Sequence, residues 1–115
     1  MINNVEIEGR IIVVPKYDNK KNLTKFLIQH GSSATNHITG ENYFRRDNIW
    51  VVVWRSNARK AASIKYNDLV KIKGAIRTKS LYLNLHSSWK TWTTIEAESI
   101  KVSHFGSQYR DLFSG

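Results

Sequence analysis

The sequence predicts an all-β fold, a small barrel of five strands with one short helix between the third and the fourth. Three observations carry this. Period-two alternation of apolar and polar residues recurs along the 115-residue chain. The chain has one proline and no long stretch of helical period. The segment "SNARKAASIKYND" alone reads as a helix. A chain of this length builds one core, so one domain is expected.

The first strand runs from Asn4 to Val14, with Val5, Ile7, Ile11 and Val13 on one face, Glu6, Glu8 and Arg10 on the other, and a bend at Gly9. Pro15 cannot donate to a ladder, and the lysine-rich turn "PKYDNKKN" ends the strand there. "LTKFLIQH", Leu23 to His30, is the second strand, and the glycine-bounded "GSSATNHITGEN" is a candidate mobile loop. The third strand extends from about Tyr43 to Trp54. Ser56 or Asn57 caps a helix of about two turns carrying Ala58, Ala61, Ala62 and Ile64, with Asn67 as a left-handed stop. In the fourth strand Val70, Ile72, Gly74, Ile76 and Thr78 alternate with Lys71, Lys73, Arg77 and Lys79, which makes a basic stripe facing outward. A polar turn near His86 to Ser88 leads to a last strand ending at Val102. Residues 1–104 form the domain and 105–115, without clear period, a short C-terminal extension.

Eighteen Lys and Arg against nine Asp and Glu give a formal charge of +9, the imbalance of a partner for polyanions, nucleic acid first among them. The charge is spread along a chain that is 41% hydrophobic, so it decorates a folded surface and is not a disordered tail. Cysteine is absent, which excludes disulfides and thiolate zinc sites and suits a reducing compartment. "MINNVEIEGR" lacks a signal-peptide pattern, and no apolar run approaches the ~18 residues of a membrane span. A soluble, cytoplasmic protein with no membrane partner is expected.

Three strands, a helix and two further strands is the connectivity of the OB-fold, a partly open barrel that binds oligonucleotides and oligosaccharides. The residues also carry a resemblance. "NNVEIEGRI" resembles the opening strand of bacterial single-stranded-DNA-binding proteins. "VVVWRSNARKAASIKYNDLVKIKGAIRT" is similar to that family's third strand, helix and fourth strand, and "TTIEAESIKV" to its terminal strand. The resemblance covers roughly residues 2 to 103. It implies an OB-fold that binds single-stranded DNA in replication, recombination or repair, as a homodimer or homotetramer, in a bacterial, phage or plasmid setting. Apolar residues on both faces of the first strand, Ile12 and Val14 opposite Ile11 and Val13, agree with oligomerisation. Family members that recruit other enzymes end in a flexible linker with an acidic tip, whereas this chain ends in "YRDLFSG", so recruitment by that route is not expected. In this it is also similar to the primosomal OB-fold protein, a short relative. Leu81 falls about where the family has a stacking aromatic, and Trp89 and Trp92 are candidates to substitute for it.

Single strands offer a phosphate chain and the faces of unstacked bases, so a binding groove interleaves cations with aromatic rings. Here Trp54 stands beside Arg55, Trp89 and Trp92 flank Lys90, and Tyr82 follows Lys79. Trp54, Tyr82, Trp89 and Trp92 are the expected stacking residues, and Arg55, Lys71, Lys73, Arg77, Lys79 and Lys90 the expected phosphate contacts. Such a surface tolerates any sequence, because every base has a ring face. Trp50 shares a strand face with Val52 and Trp54 and is assigned to the core or a subunit contact.

No catalytic residue, metal site or cofactor is expected. The histidines at 30, 37, 86 and 104 have no ligand-spaced companion and read as surface or loop residues. The pairs Glu6 with Glu8 and Glu96 with Glu98 read as outward-facing salt-bridging glutamates. The serines lack a base, and "GSSATNHITGEN" lacks the lysine of a phosphate cradle. Three rivals stay open: a primosome-type accessory protein bridging DNA and a replication helicase or another replication protein, an OB-fold nuclease using carboxylates and a divalent ion, and an RNA-binding barrel, since stacking ignores the 2′-hydroxyl.

Overall fold

The computed structural model describes residues 2–86 and 88–114, with Leu81 and His86 described by backbone alone. The order is β1 (Val5–Asp18), β2 (Leu23–Thr35), β3 (Asn42–Trp54), α1 (Ser56–Ala61), β4 (Leu69–Leu83), a 3₁₀ turn (Asn84–His86), β5 (Ser88–Ser103) and β6 (Arg110–Phe113). The strands neighbour one another as β3-β2-β1-β4-β5-β6. A parallel ladder setting Trp50, Val51 and Val52 against Thr94, Ile95 and Glu96 joins β3 to β5 and closes the first five strands into a barrel. This is the expected OB-fold.

Alternation decides what fills the barrel. Ile11, Phe26, Ile28, Val51, Val53, Val70, Ile72, Ile95, Ile100 and Val102 point inward and are buried. α1 sits between β3 and β4 with Ala58 and Ala61 buried, and the buried Thr24 hydroxyl of β2 donates to the Ala58 carbonyl. Asn3 clamps β4, its amide donating to the Ile76 carbonyl (2.8 Å) while its side-chain oxygen accepts the Ile76 N–H (2.9 Å).

Several boundaries differ from the sequence reading. β1 does not stop at Pro15 but runs to Asp18: its register with β2 breaks between Val13 and Lys16, so no ladder bond is asked of the proline nitrogen. An irregularity between Ile11 and Val13 also parts those two residues, Ile11 being buried and Val13 exposed. The expected loop after His30 is largely strand. β2 and β3 stay paired from Gly31 with Arg46 out to Thr35 with Asn42. The turn that joins them is closed by the Asn36 side chain, which accepts the Ile38 and Thr39 N–H groups, and by Gly40 at φ 74°. At α1 the cap is neither Ser56 nor Asn57 but Arg55, at φ 62° and ψ −136°, without a side-chain capping bond. Asn67 does take the left-handed conformation (φ 69°), beyond the end of the helix. Of the polar turn near His86 to Ser88, Ser87 and the His86 side chain lie outside the described residues.

The last residues are built into the fold. Phe113 of β6 is buried in the core, and β6 pairs with β5. His104 meets the buried Asp68, Nδ1 to Oδ1 at 2.8 Å. Its Nε2 lies 3.2 Å from the Arg110 guanidinium, which can only donate, so Nδ1 carries the proton and donates to Asp68. Tyr109 donates to Glu8 (2.8 Å); burial first, then that bond to the carboxylate, raises the phenol above its ordinary pKa.

Candidate nucleic-acid interface

β3 presents Ile49, Val51 and Val53 to the core and therefore Trp50, Val52 and Trp54 to the outside. Val52 is 8% exposed, while the indoles on either side of it are 40% and 42% exposed. Trp50 is thus no core residue, and that part of its assignment is corrected: the shorter valines and isoleucine fill the barrel and the rings lie on its outer wall. Trp54 ends the strand opposite Leu23, and the next residue, Arg55, is fixed by its N–H donating to the Asn22 carbonyl (2.8 Å).

Across from Trp50 the register sets Thr94 of β5 and then Arg77 of β4 in one row. Two register steps outward, and so on the same face, Lys79 pairs with Trp92. Lys25 comes in from β2, opposite Val52. Lys25, Trp50, Arg77, Lys79, Trp92 and Thr94 line a single groove between the β3 wall and the β4–β5 hairpin. Cations stand against both rings, Lys25 Nζ at 5.9 Å from the Trp50 centroid and Lys90 Nζ at 5.4 Å from that of Trp92. Arg77 is partly engaged by Glu96, Nε to Oε2 at 3.5 Å. Among the described residues Lys25, Lys79 and Lys90 have no carboxylate within ion-pair distance.

The structure divides the remaining expected site residues. Tyr82 and Trp89 are cross-strand neighbours, rings 5.5 Å apart and tilted by 58°. Alternation places them on the opposite face of the hairpin from Lys79, Lys90 and Trp92. Their face continues through Thr78, Ser80, Thr91 and Thr93 and carries no charged residue. Lys71 and Lys73 share the alternation of Arg77 and Lys79 but flank β1, where they pair with Glu8 (3.9 Å) and Glu6 (3.7 Å). Beyond Gly74 the strand leaves β1 behind, so one stripe in sequence becomes two surfaces in space. The stacking position at Leu81 concerns a side chain outside the described residues.

Two groove residues escaped the sequence reading. Trp50 did so because both faces of β3 are apolar, and alternation does not say which face is inside. Lys25 did so because β2 mixes a buried Thr24 with half-buried Leu23 and Leu27, which blurs the pattern.

No family model and no curated relative matches the chain. Solved structures do. An SSB of Plasmodium falciparum in complex with ssDNA superposes with a TM-score of 0.71 at 20% identity, over 84% of this chain and 87% of that one. A small single-stranded DNA-binding protein from Streptomyces coelicolor does so with a TM-score of 0.70 at 15% identity, over 90% and 97%. At identities this low the likeness is one of fold.

Proposed function

We propose that this protein binds single-stranded DNA with little sequence preference and without chemistry. Trp50, Trp54 and Trp92 stack bases, and Lys25, Arg55, Arg77, Lys79 and Lys90 carry the phosphate chain. The observation that carries the reading is the placement of the indoles on the outer wall of the barrel with unpaired lysines against them. Two of the solved structures it resembles are described as single-stranded-DNA-binding proteins. Binding without cleavage is supported by the carboxylates themselves: Glu6, Glu8 and Glu96 are each matched by a cation. A homodimer or homotetramer belongs to the same reading, supported by the exposed Val13 and Val14 of β1, and light scattering tests it. Titration with poly(dT), with poly(U) beside it, is expected to quench tryptophan fluorescence, and labelled strands incubated with magnesium or calcium are expected to stay intact. An absence of quenching, or shortened strands, rejects the proposal.

A further inference from the structure

The outward stripe of β3 does not end at Trp50. Continuing by twos it passes Asn48, Arg46 and Phe44, which alternation places on the same face of the strand. Phe44 lies about 20 Å from Trp50 along the strand, on the arm where β2 and β3 pair beyond the barrel. The buried core takes no residue from 31–48, so core packing gives no reason for a phenyl ring there, and Phe44 is 60% exposed. The ring is nevertheless seated: it lies so close over Gly31 that a Cβ at that position would collide with its Cζ. The Arg46 guanidinium stands 5.2 Å from the ring centroid. Among the described residues Arg46 has no carboxylate within ion-pair distance, whereas its neighbour Arg45 is tied to Asp47 (3.4 Å). Arg10 and His30 line the same concavity. Glu8 also lines it, but that carboxylate is already held by the Tyr109 hydroxyl and by Lys71.

A flat ring on a glycine floor, with a free guanidinium beside it, repeats the pairing of Trp50 with Lys25 and of Trp92 with Lys90. We infer that the single strand runs along the whole outer face of β3 and reaches a second station, Phe44 with Arg46, which takes one further base and its phosphate. Between the stations the Gln29 amide donates to the Asn48 side-chain oxygen (3.2 Å), keeping a polar, uncharged path. The inference rests on the proposed function and extends the same interface.

The test is oligo(dT) of increasing length against the wild type, Phe44→Ala, Phe44→Tyr, Arg46→Ala and Gly31→Ala. Gly31→Ala is informative because its methyl group meets only the tip of a movable side chain, so it displaces the ring and leaves the ladder intact. On oligomers too short to leave the groove, all variants are expected to match the wild type. On long oligomers Phe44→Ala and Gly31→Ala are expected to lose about 5- to 100-fold in affinity, Phe44→Tyr to retain it, and Arg46→Ala to lower the salt slope by about 0.7. Variants indistinguishable from the wild type on long oligomers overturn the station while leaving the groove standing. Equal losses at every length overturn it too, by showing that the ring acts through the fold. A wild type that binds no oligomer removes both the station and the proposed function.

Discussion

Trp50 and Trp54 mark how finely side-chain identity partitions a strand. Both lie on the outer wall, about 13 Å apart along β3, and truncating them removes half-exposed surface and no core. Trp50→Ala and Trp54→Ala are therefore each expected to weaken poly(dT) binding by about 1–3 kcal/mol while shifting the urea midpoint little. A large loss of stability would mean that the rings hold the barrel together. Arg55 separates stability from binding in another way. Its φ of 62° with ψ of −136° is a conformation that costs a side-chain-bearing residue about 1–3 kcal/mol. Glycine adopts it freely but loses about 0.5–1 kcal/mol through the unfolded chain. The first figure is the larger, so Arg55→Gly is expected to keep or raise stability by up to ~1–2 kcal/mol while weakening DNA binding. Chemical denaturation and titration of the same sample read both.

At the scale of elements the β4–β5 hairpin governs the site, because it carries Arg77, Lys79, Lys90 and Trp92 out beyond β1. Its base is a bulge: Lys73 pairs with Ser99 but Gly74 with Ala97, leaving Glu98 without an opposite number. Through this extra residue β5 turns Ile100 and Val102 inward below the bulge and Ile95 inward above it. A Cβ on Gly74 would strike the Glu96 carbonyl, a backbone atom that cannot swing away. Gly74→Ala is expected to cost about 1–3 kcal/mol and to disturb the hairpin, seen as a lower urea midpoint together with weaker binding. The alternation of β4, the short helix and its place in the chain order were legible in the sequence, since each writes its own period. The paired arms beyond Gly31 were not, because polar strands far from the core have no hydrophobic face to write. Nor was β6, four residues long, with Phe113 its one buried residue and Leu112 only partly covered. Alternation also assigned Lys71 and Lys79 to one strand face correctly, yet it holds no information on where β1 stops accompanying that strand. That boundary, set by pairing between segments distant in sequence, decides which lysines meet the groove.

For the whole molecule, a net charge of +9 draws polyanions from any direction, so its distribution decides where they settle. The groove gathers Lys25, Arg77 and Lys79, with Lys90 beside it against the Trp92 ring and Arg55 at the end of β3, whereas Lys71 and Lys73 are matched by Glu8 and Glu6 on another wall. Lys73 and Lys79 are about 20 Å apart along β4. That is twice the Debye length of ~10 Å at 0.1 M salt, so the far pair adds little to a strand lying in the groove. Five neutralised phosphates give an expected log–log salt slope of about −3.5 for a single strand, and a contact at Arg46 brings it towards about −4. Lys79→Ala with Lys90→Ala is expected to flatten the slope by about 1.4, since each contact contributes about 0.7. Lys71→Ala with Lys73→Ala removes the same formal charge and is expected to leave the slope where it was. Measuring affinity across a salt series for the two double variants separates local neutralisation from bulk attraction. Equal flattening by both would place the strand across the β1 wall, and no flattening by either would mean that stacking alone holds it.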